Sequence, residues 1–70
     1  MQNTYKAIIK KETDWWLGWI EEVPGVNCQE KTYDELIHSL TQTLQEAIQM
    51  NKDDALRFAG ESYKEVKINI

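Results

Sequence analysis

Cysteine, proline and glycine are all scarce in this chain, with one, one and three copies among its seventy residues. Long apolar runs are missing too: Trp15-Trp16-Leu17 is broken after three residues. A lone cysteine, Cys28, excludes an internal disulfide. Cys28 and the single histidine, His38, fall short of the roughly four Cys/His ligands that a structural zinc takes. Apolar runs this short are far below the roughly 18–20 residues needed to span a bilayer. The opening Met1-Gln2-Asn3-Thr4-Tyr5-Lys6 lacks the charged-then-apolar profile of a secretory leader. A cytoplasmic protein without a membrane partner is therefore expected, and one unpaired thiol fits a reducing compartment. Basic residues are also in deficit, 8 against 12 acidic, for a net charge of −4. Phosphate-driven binding needs a basic footprint, so direct contact with nucleic acid is not expected, and a basic partner suits the charge better.

What is present fits one small domain covering residues 1–70. Hydrophobic residues at 41% and charged residues at 29% are close to globular averages, which argues against disorder. A globule of this size buries only about 60% of the surface its unfolded chain exposes. Without a disulfide or metal to staple it, the expected stabiliser is association: with itself as a homodimer or larger, or with another protein.

Two segments read as strands, Thr4 to Glu12 and Trp15 to Val23, the second rich in aromatic and β-branched residues. Thr13-Asp14 joins them as a tight turn, although the glycine that such turns favour is absent. Pairing residues whose numbers sum to 27 sets Ile9 against Gly18, Ala7 against Ile20 and Lys11 against Trp16. Alternation then puts Tyr5, Ala7, Ile9, Trp16, Gly18 and Ile20 on one face, the core face, with room at Gly18 for a helix. The other face pairs Ile8 with Trp19, Lys6 with Glu21 and Lys10 with Leu17. Val23-Pro24-Gly25-Val26 ends the second strand, because proline cannot donate to a ladder and glycine permits positive φ. Val26 to Lys31 supplies a short third strand.

Thr32-Tyr33-Asp34-Glu35 is a Thr-x-x-Glu capping box with two carboxylates in the first turn. Tyr33, Leu36, Ile37, Leu40, Leu44, Ala47 and Ile48 then fall in a stripe about 120° wide, the signature of a helix lying on a sheet. This predicts a helix from Tyr33 to Met50 or Asn51. Lys52-Asp53-Asp54 is expected to cap a second short helix through Phe58, ended by Gly60. The alternation of Val66, Ile68 and Ile70 with Lys67 and Asn69 predicts a last strand. The order is β-β-β-α-(short α)-β, an α+β fold with one sheet of three to four strands and a helix on one face.

Chemistry is thinly represented. His38 lies on the solvent side of the helix among Thr41, Gln42 and Gln45, with no carboxylate to poise it as a base. Cys28 sits among Asn27, Gln29 and Glu30, where negative charge opposes the thiolate. Phosphate loops, nucleophile elbows and Cys/His clusters are missing. Asp34, Glu35, Asp53 and Asp54 are explained as helix-start residues. No catalytic, cofactor or metal site is expected, so the chain reads as no enzyme. The candidates for binding are Ile8, Leu17 and Trp19, an apolar patch that marks an interface unless the Leu56–Phe58 segment covers it. Beside them stand Glu21 and Glu22, which either edge the sheet in solvent or steer a basic partner, and the Pro24-Gly25 edge.

Tyr5-Lys6-Ala7-Ile8-Ile9, Glu22-Val23-Pro24-Gly25, Thr32-Tyr33-Asp34-Glu35-Leu36 and Leu44-Gln45-Glu46-Ala47-Ile48, in that order and spacing, resemble the N-terminal domain of the HicB antitoxin family. The likeness covers about residues 4–50. It implies a partial ribonuclease-H-like fold with the final strand beside the first, and an antitoxin that occludes the active site of a small basic ribonuclease toxin, HicA. Lys6, Lys10 and Lys11 on the opening strand have the wrong charge for holding the magnesium of that fold's nucleases. Longer relatives carry a C-terminal DNA-binding domain, for which nothing after Gly60 fits, so operator binding is not expected. A stand-alone homo-oligomeric structural or regulatory module without a toxin is the alternative.

Overall fold

A computed structural model describes residues 4–69 and has an α+β architecture: a three-stranded antiparallel sheet followed by one long helix. Strands β1 (Ala7–Glu12), β2 (Trp15–Ile20) and β3 (Asn27–Glu30) lie in the order β1-β2-β3, and α1 runs from Tyr33 to Ala59. The hairpin register is the expected one: Ala7 pairs with Ile20, Ile9 with Gly18 and Lys11 with Trp16. On β3, Gly18 meets Cys28 and Leu17 meets Gln29. A slip of one residue would send Ile9 and Ile20 to solvent and Lys10 to the core, so the apolar pattern sets this register.

Both turns follow from local chemistry. Val26 N–H bonds the Val23 carbonyl at 3.3 Å across Pro24 and Gly25, with Gly25 at φ 92°. Proline at the second position and a positive-φ glycine at the third make a type II turn. The β1–β2 turn is less comfortable, because Thr13 takes φ 35° with a β-branched side chain. Positive φ costs a residue with a Cβ roughly 1–2 kcal/mol, and glycine gives back about 0.5–1 kcal/mol in unfolded-chain entropy. Thr13→Gly is therefore expected to raise the urea midpoint by a net gain of up to about 1 kcal/mol.

Thr32 caps α1 in an extended conformation. Glu35 N–H donates to Thr32 Oγ1 at 3.1 Å, and that hydroxyl also lies 3.1 Å from Glu35 Oε1. The helix stripe lies on the predicted sheet face, where Ile20, Val26, Leu36 and Leu40 form the buried centre. Ile9, Trp16, Val23, Cys28, Leu44 and Ala47 pack around it. The Trp16 ring meets Tyr33 edge-on at 5.4 Å, closing the end where the helix begins.

Gly18 is the point of closest approach. A Cβ built there lies 2.8 Å from Leu40 Cδ1, 3.1 Å from Ile9 Cδ1 and 3.2 Å from Leu36 Cδ2. Gly18→Ala is expected to lower stability by roughly 1–3 kcal/mol through overpacking, seen as a lower urea midpoint with an unchanged slope.

The C-terminal third differs from expectation. Helix α1 does not stop near Met50 or Asn51, and Lys52-Asp53-Asp54 caps no second helix. Instead Gln49 Nε2 donates to Asp53 Oδ1 at 3.0 Å and Arg57 donates to Asp54 at 2.9 Å. These i,i+4 and i,i+3 contacts support a continuous helix and leave no aspartate free to cap. Gly60 ends it at φ 79°, its N–H bonded to the Leu56 carbonyl at 3.2 Å. Among the described residues there is no fourth strand; Val66 and Ile68 are exposed, and Ile70 lies outside the described residues. Unbroken, the helix carries this segment past the end of the sheet, so its alternation meets no ladder to join.

Candidate interaction surface

The sheet's outer face, opposite the helix, gathers four of the expected binding residues, Ile8, Leu17, Trp19 and Glu21. The rows across it are Ile8–Trp19–Asn27 and Lys10–Leu17–Gln29, with Glu12–Trp15 beyond. Ile8 is 40% and Trp19 41% exposed. Leu17 is half-buried and, with Trp19, Asn27 and Gln29, borders a shallow depression of about 320 Å³. The expected alternative cover is absent, since the Leu56–Phe58 segment belongs to the helix on the other side and Phe58 is 92% exposed. Apolar side chains of this size on one flat, hydrogen-bonded surface are expensive in water and characteristic of interfaces.

Charges border the patch. The Glu21 N–H donates to the Lys6 carbonyl at 2.9 Å, which extends the ladder by one row and keeps Glu21 on the outer face. Its neighbour Glu22 is engaged: it accepts from the Lys6 N–H at 2.9 Å and pairs with Lys6 Nζ at 2.9 Å. The backbone and side-chain hydrogen bonds from Lys6 hold the Glu22 carboxyl below its ordinary range. The same pairing, with help from Glu21, raises the Lys6 ammonium above its own. This clasp is intact across neutral pH; its small contribution fades as acid protonates Glu22 through its lowered pKa, or as base strips Lys6 above its raised one. Glu22 thus fastens the β2–β3 loop to Lys6 at the entry to β1, whereas the Glu21 side chain makes no hydrogen bond or ion pair among the described residues. Pro24 and Gly25 are exposed at the tip of that loop, with open space around Gly25.

Two contributors were not among the expected binding residues. Trp15 is exposed on the outer face, and Lys31 Nζ stands 4.5 Å above its ring. Alternation from Gln29 places Lys31 on that face, and a cation over indole holds the ring in place. The patch is therefore a column of Trp15, Leu17 and Trp19 along β2, flanked by Ile8.

Catalytic groupings are not found among the described residues. His38 is exposed on the helix. Cys28 is half-buried against the core, its Sγ 3.6 Å from Thr43 Oγ1. No cluster of three or more His, Cys, Asp or Glu able to hold a metal occurs among the described residues, and none of their helices is long and apolar enough to cross a membrane. Compared with protein-family models, curated proteins and solved structures, the chain matches none.

Proposed function

We propose that this chain is a binding module and not an enzyme, an antitoxin-like protein of HicB type. It neutralises a small basic ribonuclease of HicA type by lying over that enzyme's active site. The observation that carries the reading is the uncovered column of Trp15, Leu17 and Trp19 with Ile8 beside it, on a hydrogen-bonded sheet. A rigid sheet loses little conformational entropy on docking, and tryptophans are the residues most often found at the energetic centre of an interface. Net charge −4, with Glu21 at the border of the patch, favours encounter with a basic partner. No cofactor, metal or direct nucleic-acid contact enters this reading. It places the protein in the cytoplasm.

The deciding experiment uses the protein encoded beside this one. Co-expression is expected to yield a complex that survives purification at micromolar concentration, and the ribonuclease activity of the partner is expected to fall as the chain is titrated in. A neighbour that is not a small basic protein, or one that fails to associate, ends the toxin reading. The second reading, a stand-alone homo-oligomeric module, is favoured by a separate observation: apolar surface on the helix side of the sheet is also left open.

A further inference from the structure

Two apolar surfaces of the sheet stay open, one on each side. Helix α1 packs over β2 and β3, because a helix about 10 Å across covers roughly two strands spaced about 4.8 Å apart. The hollow this leaves beside Ala7 lies on the side where the chain continues past Gly60. Residues of the same chain can reach it, so it selects no second molecule. The outer face is different, because its charges are placed to fit one kind of partner.

Alternation arranges that face as four rows across the strands. Lys6–Glu21 stands at one end, followed by Ile8–Trp19–Asn27 and Lys10–Leu17–Gln29. The last row is Glu12–Trp15–Lys31, in which a carboxylate and an ammonium flank one indole from either side. On and beside this face Lys6, Lys10 and Lys31 balance Glu12, Glu21 and Glu22, three against three, so the net charge of −4 is carried by the rest of the chain. That acidic excess steers a basic partner from a distance, whereas contact on the face itself is with balanced charge.

We propose that the outer face receives the outer face of a second copy of this chain, related by a two-fold axis that lies between the sheets and parallel to β2. This axis turns β2 onto β2 and exchanges β1 with β3. Trp15, Leu17 and Trp19 then meet their own equivalents, apolar against apolar. Glu12 faces Lys31 of the partner subunit and Lys31 faces Glu12 of the partner subunit, so two ion pairs close one end of the interface. Within its own strand Glu12 pairs through Oε2 with Lys10 at 3.2 Å, which leaves Oε1 for the new contact. Stacked sheets lie about 10 Å apart, a gap that a lysine and a glutamate reaching toward each other can span. Lys10 faces the amide of Gln29 of the partner subunit, whose carbonyl oxygen accepts from an ammonium. A two-fold axis across the strands instead sets Ile8 against Lys10 and Glu21 against Trp15, which desolvates charge on apolar surface. The charge pattern therefore selects the first arrangement.

The size of the face sets the strength of the pair. Three strands by four rows span about 14 by 27 Å, a projected footprint of roughly 400 Å² per copy. That is about half of the roughly 800 Å² per partner in a standard interface, so the pair belongs to the weak, exchangeable class. Pairing and partner binding use the same side chains and exclude each other. The pair keeps the tryptophans out of water until a tighter-binding partner displaces one copy. This exclusion rests on the proposed ribonuclease binding; the pairing itself does not.

The test uses two single variants of the full chain, Glu12→Lys and Lys31→Glu, followed by sedimentation equilibrium. The unsubstituted chain is expected to show a reversible monomer–dimer equilibrium, with dimer predominant at about 1 mM. Each variant alone sets like charges at both ion-pair positions and is expected to dimerise roughly tenfold or more weakly, with the circular dichroism of the parent. Mixing the two variants brings opposite charges together at both positions. The mixture is expected to associate about tenfold or more tightly than either variant alone. An unsubstituted chain that stays monomeric at about 1 mM, or a mixture that associates no better than its components, overturns the pairing. Charge-restored pairing with no complex on adding the neighbouring ribonuclease upholds the pairing and ends the toxin reading. A ribonuclease complex that still contains the charge-restored pair overturns the exclusion.

Discussion

Leu36→Ala is expected to leave the isolated chain largely unfolded in buffer at room temperature. Leu36 is the most enclosed side chain, at 0% exposure, and it packs where the helix touches the sheet at Gly18. Truncating a buried leucine costs about 2–5 kcal/mol, because the cavity left behind collapses only partly. A domain has roughly 0.05–0.15 kcal/mol of stability per residue, so seventy residues hold in the range of 3.5–10 kcal/mol. The loss is therefore comparable with the whole. Alanine at the exposed helix position Gln42, which makes no side-chain hydrogen bond among the described residues, serves as the control and is expected to change stability by a few tenths of a kcal/mol at most. Urea titration followed by circular dichroism reads both. A Leu36→Ala midpoint close to that of the parent would contradict the packing described.

Trp19→Ala carries the largest expected effect on binding. The side chain is 41% exposed and sits between Ile8 and Asn27 on the outer face, so its removal opens no internal cavity and is expected to cost about 1 kcal/mol of stability, from the lost cross-strand contact and the lower strand propensity of alanine. If the face is the interface, the same change removes an anchor worth about 2 kcal/mol or more, a loss of roughly 30-fold or more in affinity. The ratio of the two effects is what distinguishes an interface from a structural tryptophan. Titration of the neighbouring ribonuclease, followed by calorimetry, measures the first, and thermal unfolding measures the second. Unchanged affinity in Trp19→Ala would remove this face from the proposal. Glu22→Gln offers a contrast: because Glu22 is committed to Lys6, it is expected to affect affinity far less than Glu21→Gln.

Much of the sheet was legible in the sequence because strand alternation has a period of two and tolerates no slip. Ile9, Gly18 and Ile20 demanded one register, and it is the one observed. The start of the helix was equally legible, since Thr32 and Glu35 satisfy each other within four residues. For the candidate surface, alternation placed Ile8, Leu17 and Trp19 together. It also contained the signal for Trp15 and Lys31, whose pairing rests on a cation over an indole ring that spacing alone does not show.

Less was legible where competing local preferences are of similar size. Asp53 and Asp54 suit a helix cap or a helix interior about equally well; the choice went to side-chain bonds with Gln49 and Arg57. That choice extends the helix to Ala59 and separates Val66 and Ile68 from the edge they were expected to join. Residues 1–70 by themselves determined the hairpin register, the Pro24-Gly25 turn, the helix cap and the two opposed apolar faces of the sheet, because each depends on neighbours a few positions apart or on strict alternation. Only the tertiary structure decided that one unbroken helix runs to Ala59, how much of the roofed face stays open beside β1 and where the residues after Gly60 go. Those outcomes turn on the width of a helix over a sheet and on contacts between distant segments, which no local pattern encodes.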